Sequence, residues 1–241
     1  MLRDYAGATD CGLVRAVNQD SLYLDEANRF FIVADGMGGY AGGQEASKIA
    51  VTKVVAHLEA YWQSSLPIAD LLKQACFRAN EAILRDQDKH PERRDMGTTI
   101  TAVVFRNDEV WFAQVGDSRL YRFQDSQLEQ ITQDDTWVAL ALNLGEMTPE
   151  QAKIHPWRHV LSKCLGRQDL YEITVRQIPS LPGQRLMLCS DGLTEELSDT
   201  DIQTILSKNP PPEIVSQQLI EAAKKAGGSD NITVIVIDQK N

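Results

Sequence analysis

Asp35 in VADG, Asp117 in QVGDSR, Asp191 in LCSDG and Asp230 in GGSDNIT each lie beside the end of an apolar or β-branched run, and Asp20 in VNQDS precedes another. If strands of one sheet system bring several of these carboxylates to one edge, their charges repel and demand a compensating cation. An all-oxygen donor set with no Cys or His beside it suits hard Mg²⁺ or Mn²⁺ better than zinc. The plainer reading of any one Asp-Gly pair is a turn, since that dipeptide is a common turn signal. VADG and LCSDG, however, end strands without the polar alternation of an exposed hairpin, so their carboxylates approach a core. Arg15 precedes Asp20 by five residues in CGLVRAVNQD. It is either a solvated surface cation or a bidentate holder of phosphate.

Such carboxylates need a scaffold, and hydrophobic periodicity supplies its outline. FFIVAD (30–35) reads as a buried strand followed by a glycine loop. From Gly43 the period changes: Ala46, Ile49, Ala50, Val54 and Leu58 form one helix face, and Ile68, Leu72, Ala75, Ala79 and Ile83 form another, with Pro67 at its start. TTITAVVF (98–105), EVWFAQVGD (109–117) and RLYRF (119–123) read as strands, the first two joined by a turn at Arg106-Asn107-Asp108. Short links between neighbours predict antiparallel pairing. QRLMLCSDG (184–192) and NITVIVID (231–238) are further strands. Between them Ser198 caps one helix, while Val215, Leu219 and Ala222 mark a second that Gly227-Gly228 ends. Residues 133–170 break this rhythm, with Gly145, Pro149, Pro156 and a helix-start signal at Thr148-Pro149-Glu150. Irregular inserts of this length are usually functional flaps or mobile loops.

Composition narrows the function classes. A net charge of −10 disfavours a nucleic-acid surface. MLRDYAGATD has no apolar signal-peptide core and no run of about 18 apolar residues occurs, so the expectation is a cytoplasmic protein without a membrane partner. Cys11, Cys76, Cys164 and Cys189 are scattered, which predicts reduced thiols and neither a zinc knuckle nor a disulfide framework. The length accommodates one domain over residues 1–241.

Taken in order, TDCGLVRAVNQDS, FIVADGMGG, MGTT, VGDSRLYR, LCSDGLTEEL and GGSDNITVIVI resemble the metal-dependent type 2C protein phosphatases in their compact bacterial form. The resemblance implies an α+β fold, a four-layer α-β-β-α sandwich of two antiparallel sheets flanked by helix pairs, with 133–170 as the flap of a single catalytic domain. It implies that Asp35 bridges two metal ions, that the Gly36 carbonyl helps hold the second, and that Asp191 and Asp230 hold the first. A third ion would fall on Asp117 with Asp191. Asp20 resembles the carboxylate that orients water, and Arg15 the phosphate-binding arginine. The implied reaction is hydrolysis of phosphoserine or phosphothreonine on a phosphorylated protein by metal-activated water, using Mn²⁺ or Mg²⁺ and no covalent phosphoenzyme. In the glycine-rich stretch, Gly36 would leave its carbonyl open to a metal, and Gly38 and Gly39 would let backbone pass close to the cluster.

The sequence departs from the family where related proteins place a general-acid histidine: Met37 stands two positions after Asp35, and Tyr40 follows the double glycine. Asp135 replaces another frequent histidine and receives no catalytic role. His155 and His159 have metal-ligand spacing, but Pro156 between them opposes a helix. Thr98 and Thr99 read as strand residues, and His57 as surface or packing. The chain carries no coiled-coil pattern and is expected to be a monomer. Two other readings stay open, a broad phosphomonoesterase of small metabolites and a pseudophosphatase that binds phosphoproteins without hydrolysis.

Overall fold

The computed structural model describes residues 3–240, apart from the side chains of residues 40 and 41. Three strands open the chain, β1 (Arg3–Asp10), β2 (Asp20–Leu24) and β3 (Phe30–Met37), followed by the helices α1 (Gly39–Tyr61) and α2 (Ile68–Lys89). Then come β4 (Gly97–Thr98), β5 (Ile100–Arg106), β6 (Glu109–Val115), β7 (Arg119–Gln124) and β8 (Gln127–Gln130). The short helices α3 (Trp137–Asn143) and α4 (Pro149–Ile154) precede β9 (Thr174–Ile178) and β10 (Arg185–Cys189). Helices α5 (Asp191–Thr194), α6 (Asp199–Ser207) and α7 (Pro212–Ala226) lead to the final β11 (Ile232–Gln239).

Two antiparallel sheets result, one ordered β1-β11-β10-β7-β8 and the other β2-β3-β5-β6-β9 with β4 on β3. Side-chain alternation builds three apolar layers from them. In β3, Phe30, Ile32 and Ala34 face α1 and α2, whereas Phe31 and Val33 face the opposite sheet. In β11, Val234 and Val236 face α6 and α7, and Ile235 and Ile237 turn inward. Both faces of these strands are therefore buried, which is why their sequences run apolar without a break. Each fully buried Val, Leu, Ile or Phe contributes roughly 1.5–3 kcal/mol. The result is the expected four-layer α-β-β-α sandwich.

Several local expectations change. The first long helix begins at Gly39 rather than Gly43, because Gly42 packs on Met96 and Gly43 against the Gly36 backbone; the tight packing offsets the poor helix propensity of glycine. Asp35 is not the strand tip, since β3 continues to Met37 and Asp35 pairs in register with Asp20. Asp191 instead starts α5, two residues past the end of β10. The turn at 106–108 is confirmed, with Asn107 and Asp108 at φ of 53° and 63°. Ser198 caps α6 with Asp201, and Gly227 ends α7.

Segment 133–170 holds more regular structure than its sequence pattern suggests. Thr136 caps α3, and Thr148 forms a capping box with Gln151 at α4. The two ends of the excursion meet where Thr136 bridges Leu161 and the Ser162 N–H donates to the Asp135 carbonyl (2.8 Å). Beyond this point the chain returns to the sandwich, with Leu165 and Leu170 buried in the layer beneath α1 and α2. No helix among the described residues is long and apolar enough to cross a membrane.

Candidate active site

At one end of the inter-sheet layer the apolar residues give way to polar ones. Asp35 continues the inward parity of Phe31 and Val33, and Asp20 that of Leu22 and Leu24. Across the gap, Asp20 Oδ2 accepts from Ser190 Oγ (2.7 Å) and Thr233 Oγ1 (2.6 Å), one hydroxyl just past β10 and the other on β11. One carboxylate oxygen thus clasps both sheets together. The other, Asp20 Oδ1, is buried without a hydrogen-bond partner among the described residues.

The Asp35 backbone is clamped by MGTT. Its N–H donates to Thr99 Oγ1 (2.9 Å), and its carbonyl accepts from the Thr99 N–H (2.8 Å) and from Thr98 Oγ1 (2.8 Å). Thr98 is a strand residue, as read from the sequence, whereas Thr99 falls in the one-residue break between β4 and β5; the hydrogen bonds of both fix where Asp35 points. Gly36 is required by contact: a Cβ there would stand 1.9 Å from the Gly43 carbonyl oxygen. At Gly38, φ 114°, a Cβ would stand 2.7 Å from the Met96 Cα, whereas Gly39 has open space around it.

Asp230 lies at the entry to β11, where Arg15 Nη2 donates to its Oδ2 (2.7 Å). The loop carrying Arg15 is pinned by Asn231, a residue to which the sequence pattern assigns no role. Asn231 Nδ2 donates to the carbonyls of Cys11 and Val17 (both 3.0 Å), and Oδ1 accepts from the Gln19 N–H (2.8 Å). Asp117 sits buried in the turn after β6. That turn is tied to Asp135, whose Oδ2 accepts from the Gly116 N–H (3.1 Å).

These elements enclose a cleft of about 740 Å³ lined by Arg15, Asp35, Gly36, Asp117, Asp191 and Asp230. Asp20 lies just behind it. Burial pushes the carboxyls of Asp35 and Asp117 well above the ordinary range, and neighbouring carboxylates add to it: Asp20 and Asp191 at Asp35, Asp191 and Asp134 at Asp117. Burial raises Asp191 as well. Asp20 is pushed up to about 7, chiefly by burial and against the pull of its two hydroxyl donors. Asp191 Oδ1, like Asp20 Oδ1, is buried with no hydrogen-bond partner among the described residues. A set of crowded, under-satisfied carboxylate oxygens fits hard divalent cations, which would favour the charged forms that burial disfavours.

Met37 lines the cleft but has no proton to transfer, and the Tyr40 side chain lies outside the described residues. The other protonatable groups at the border come from the far side. His159 Nδ1 meets Glu195 Oε1 at 2.5 Å, and Asp191 completes a trio whose donor atoms lie within 4.8 Å of one another. Burial, with the charges of Asp191 and Asp230, raises Glu195 to about 8. Nothing in the local pattern of TEEL singles out Glu195; only the fold brings it here. His155 does not join His159, because its ring stacks on Trp137 (4.9 Å) and its Nδ1 accepts from the Trp157 N–H. His57 is packed on α1 against Tyr61.

The sequence matches the family described as Protein phosphatase 2C over residues 14–222. It is 40% identical over 239 residues to the serine/threonine protein phosphatase PstP of Mycobacterium tuberculosis, covering 97% of this chain and 44% of the relative, so it spans less than half of that protein. Against the serine/threonine phosphatase stp of Listeria welshimeri it is 32% identical, covering 96% of this chain and 94% of the relative. The crystal structure of the mycobacterial phosphatase superposes with a TM-score of 0.90 at 37% identity over the whole of both chains. The catalytic domain of PstP, solved in complex with 2 manganese ions, superposes at 0.87 with 36% identity and 99% of each chain covered. With the sandwich, the ordered motifs and the clustered aspartates in agreement with this match, the chain belongs to the protein phosphatase 2C family.

Proposed function

We propose that this chain hydrolyses phosphoserine and phosphothreonine on proteins, by direct attack of water and with divalent cations resident in the cleft. The observation that carries the reading is the convergence of Asp35, Asp117, Asp191 and Asp230 on one cleft beside Arg15. Asp35 and the Gly36 carbonyl, together with Asp191 and Asp230, would hold two ions, and Asp117 with Asp191 a third. Bound Mn²⁺ or Mg²⁺ supplies Lewis acidity, which lowers the pKa of water and screens the phosphoryl oxygens.

The chain's own residues do the rest. Asp20, held by Ser190 and Thr233 through Oδ2, keeps Oδ1 free to accept a proton from water and orient it. Arg15 stands at the mouth, where its guanidinium exchanges Asp230 for the substrate phosphate and presents a bidentate donor pair. No serine or cysteine lines the cleft among the described residues, and the one threonine hydroxyl, Thr99 Oγ1, is bonded to the Asp35 N–H and Ser118 Oγ. This supports water rather than a side-chain hydroxyl or thiol as the nucleophile, in line with the leaving seryl or threonyl oxygen. Segment 133–170 is the flap of a single catalytic domain, and its contacts with the phosphoprotein gate access. The protein works as a cytoplasmic monomer, without nucleic acid or membrane.

Hydrolysis of an aryl phosphate with Mn²⁺, with Mg²⁺ and with chelator, on the native chain and Asp191→Ala, tests the reading. Turnover should need metal and largely vanish in the variant; turnover that survives chelator would overturn the proposal. Phosphopeptides against sugar phosphates separate a protein phosphatase from a general phosphomonoesterase. Asp117→Ala should keep ion binding in the two-ion core and lose turnover, and unchanged turnover would remove the third ion from the reaction.

A further inference from the structure

A second cleft, of about 520 Å³, lies against the first and shares Asp117, His159, Asp191 and Glu195 with it. Its outer wall is aliphatic and comes from α3 and α4, through Val138, Leu142 and Ala152. Three cations border it: Arg119, Lys153 and Arg158. Arg119 is committed, because Asp134 holds it through paired hydrogen bonds of 2.9 and 2.7 Å. Lys153 and Arg158 are exposed, and neither has a carboxylate within ion-pair distance among the described residues. Arg158 is nevertheless close enough to the active site for its charge to act on both His159 and Glu195.

What sets Lys153 and Arg158 apart is their place at a cleft beside the aspartate cluster, in a chain of net charge −10 whose overall field repels anionic substrates. The carboxylates around the two clefts have partners: Glu195 meets His159, Asp134 holds Arg119, and Asp35, Asp117, Asp191 and Asp230 would hold the divalent cations proposed above. In the adjoining cleft the uncommitted charge is positive. An extended peptide rises about 3.3 Å per residue, so a residue two or three positions from a phosphoresidue lies roughly 7–10 Å away, within a neighbouring cleft of this size.

We propose that the cleft beneath α3 and α4 is a second anion subsite, in which Lys153 and Arg158 bind an acidic or phosphorylated side chain carried by the polypeptide substrate close to the residue being dephosphorylated. The inference rests on the phosphoprotein reading above and adds a preference to it. The cations confer selectivity for acidic sequence context, and the aliphatic wall takes the stem of the anionic side chain.

The test uses phosphothreonine peptides of one sequence with Ala, Asp, Lys or a second phosphothreonine placed at each position within three of the scissile residue, and the metal-loaded full chain. The readout is the ratio of kcat/KM for the charged peptide to that for the Ala peptide, so the neutral peptide is an internal reference for folding and metal loading. Two partly exposed charge contacts give about a tenfold preference for the anionic peptide, declining with ionic strength. Lys153→Ala with Arg158→Ala brings the ratio to about one, and Lys153→Glu with Arg158→Glu shifts the preference to the Lys peptide. The Asp and phosphothreonine arms distinguish a carboxylate from a second phosphate as the bound anion. Native protein that hydrolyses all peptides alike, or a double-Ala variant that keeps the preference, overturns the subsite alone. Native protein that hydrolyses aryl phosphate and no phosphopeptide overturns the phosphoprotein reading and the subsite with it.

Discussion

Replacing Asn231 by alanine tests whether the site depends on residues that never touch substrate. Asn231 is 4% exposed and makes three hydrogen bonds to the segment 11–19, from Nδ2 to the carbonyls of Cys11 and Val17 and to Oδ1 from the Gln19 N–H. At about 1 kcal/mol net for each, the loss is about 3 kcal/mol. It falls first on the segment carrying Arg15, which keeps its bonds from the Leu13 N–H to the Gly228 carbonyl (2.7 Å) and from Arg15 to Asp230. If about 2 kcal/mol of the loss appears as local opening, the closed population of that loop is biased by about thirtyfold less than in the native protein. Urea unfolding should show the stability loss, and kcat/KM at saturating Mn²⁺ should fall by about one order of magnitude or more. Asn231→Asp sharpens the test. It keeps shape and Oδ1 but sets an oxygen against two carbonyl oxygens, so it should cost at least as much as alanine. An aspartate variant with native stability and activity would refute the assignment of Asn231 as the pin of this loop.

Three other outcomes are expected. Gly36→Ala forces a methyl to 1.9 Å from the Gly43 oxygen and should lower Tm by about 10 °C, whereas Gly39→Ala, with open space but φ +50°, should lower it by about 3 °C; equal shifts would contradict the packing argument. Burial raises the Asp25 carboxyl, but hydrogen bonds from Arg29 outweigh it and hold the pKa below the usual range, so this group's stabilisation is full above its unfolded pKa and lost as pH falls through the folded one. Arg29→Ala should cost about 3 kcal/mol at neutral pH and, with burial left alone to act, remove or reverse that acid-limb contribution in urea midpoints measured from pH 6 downward; parallel native and variant curves would sink the claim. Added Mn²⁺ should raise Tm by mass action, and the rise should shrink in Asp191→Ala; an equal rise in both would place the ions elsewhere.

The parts of this molecule legible in the sequence are those set by local period. β3, β10 and β11 declare themselves because both faces are buried, and α2 because its apolar residues recur along one face. β8 and β9 do not, since QLEQ and TVRQI are edge strands with largely solvated side chains. The aspartates were visible as residues beside strand ends, while their company was not. Ser190 and Thr233 reach Asp20 across 170 and 213 positions, and Glu195 enters only through the angle at which α5 leaves β10. Hydrogen bonds between sheets leave no periodic trace. The same reason hides the start of α1, where glycines that discourage a helix locally are selected by what packs against them.

The pairing of β1 with β11 has a practical consequence. Asp10 and Ile232 stand at the aspartate-bearing end of the ladder, while Arg3 and Gln239 stand at the other, seven steps or roughly 23 Å away. Arg3 and Gln239 therefore stand side by side and remote from the mouth. Surface immobilisation through that pole leaves the opposite one facing the solution.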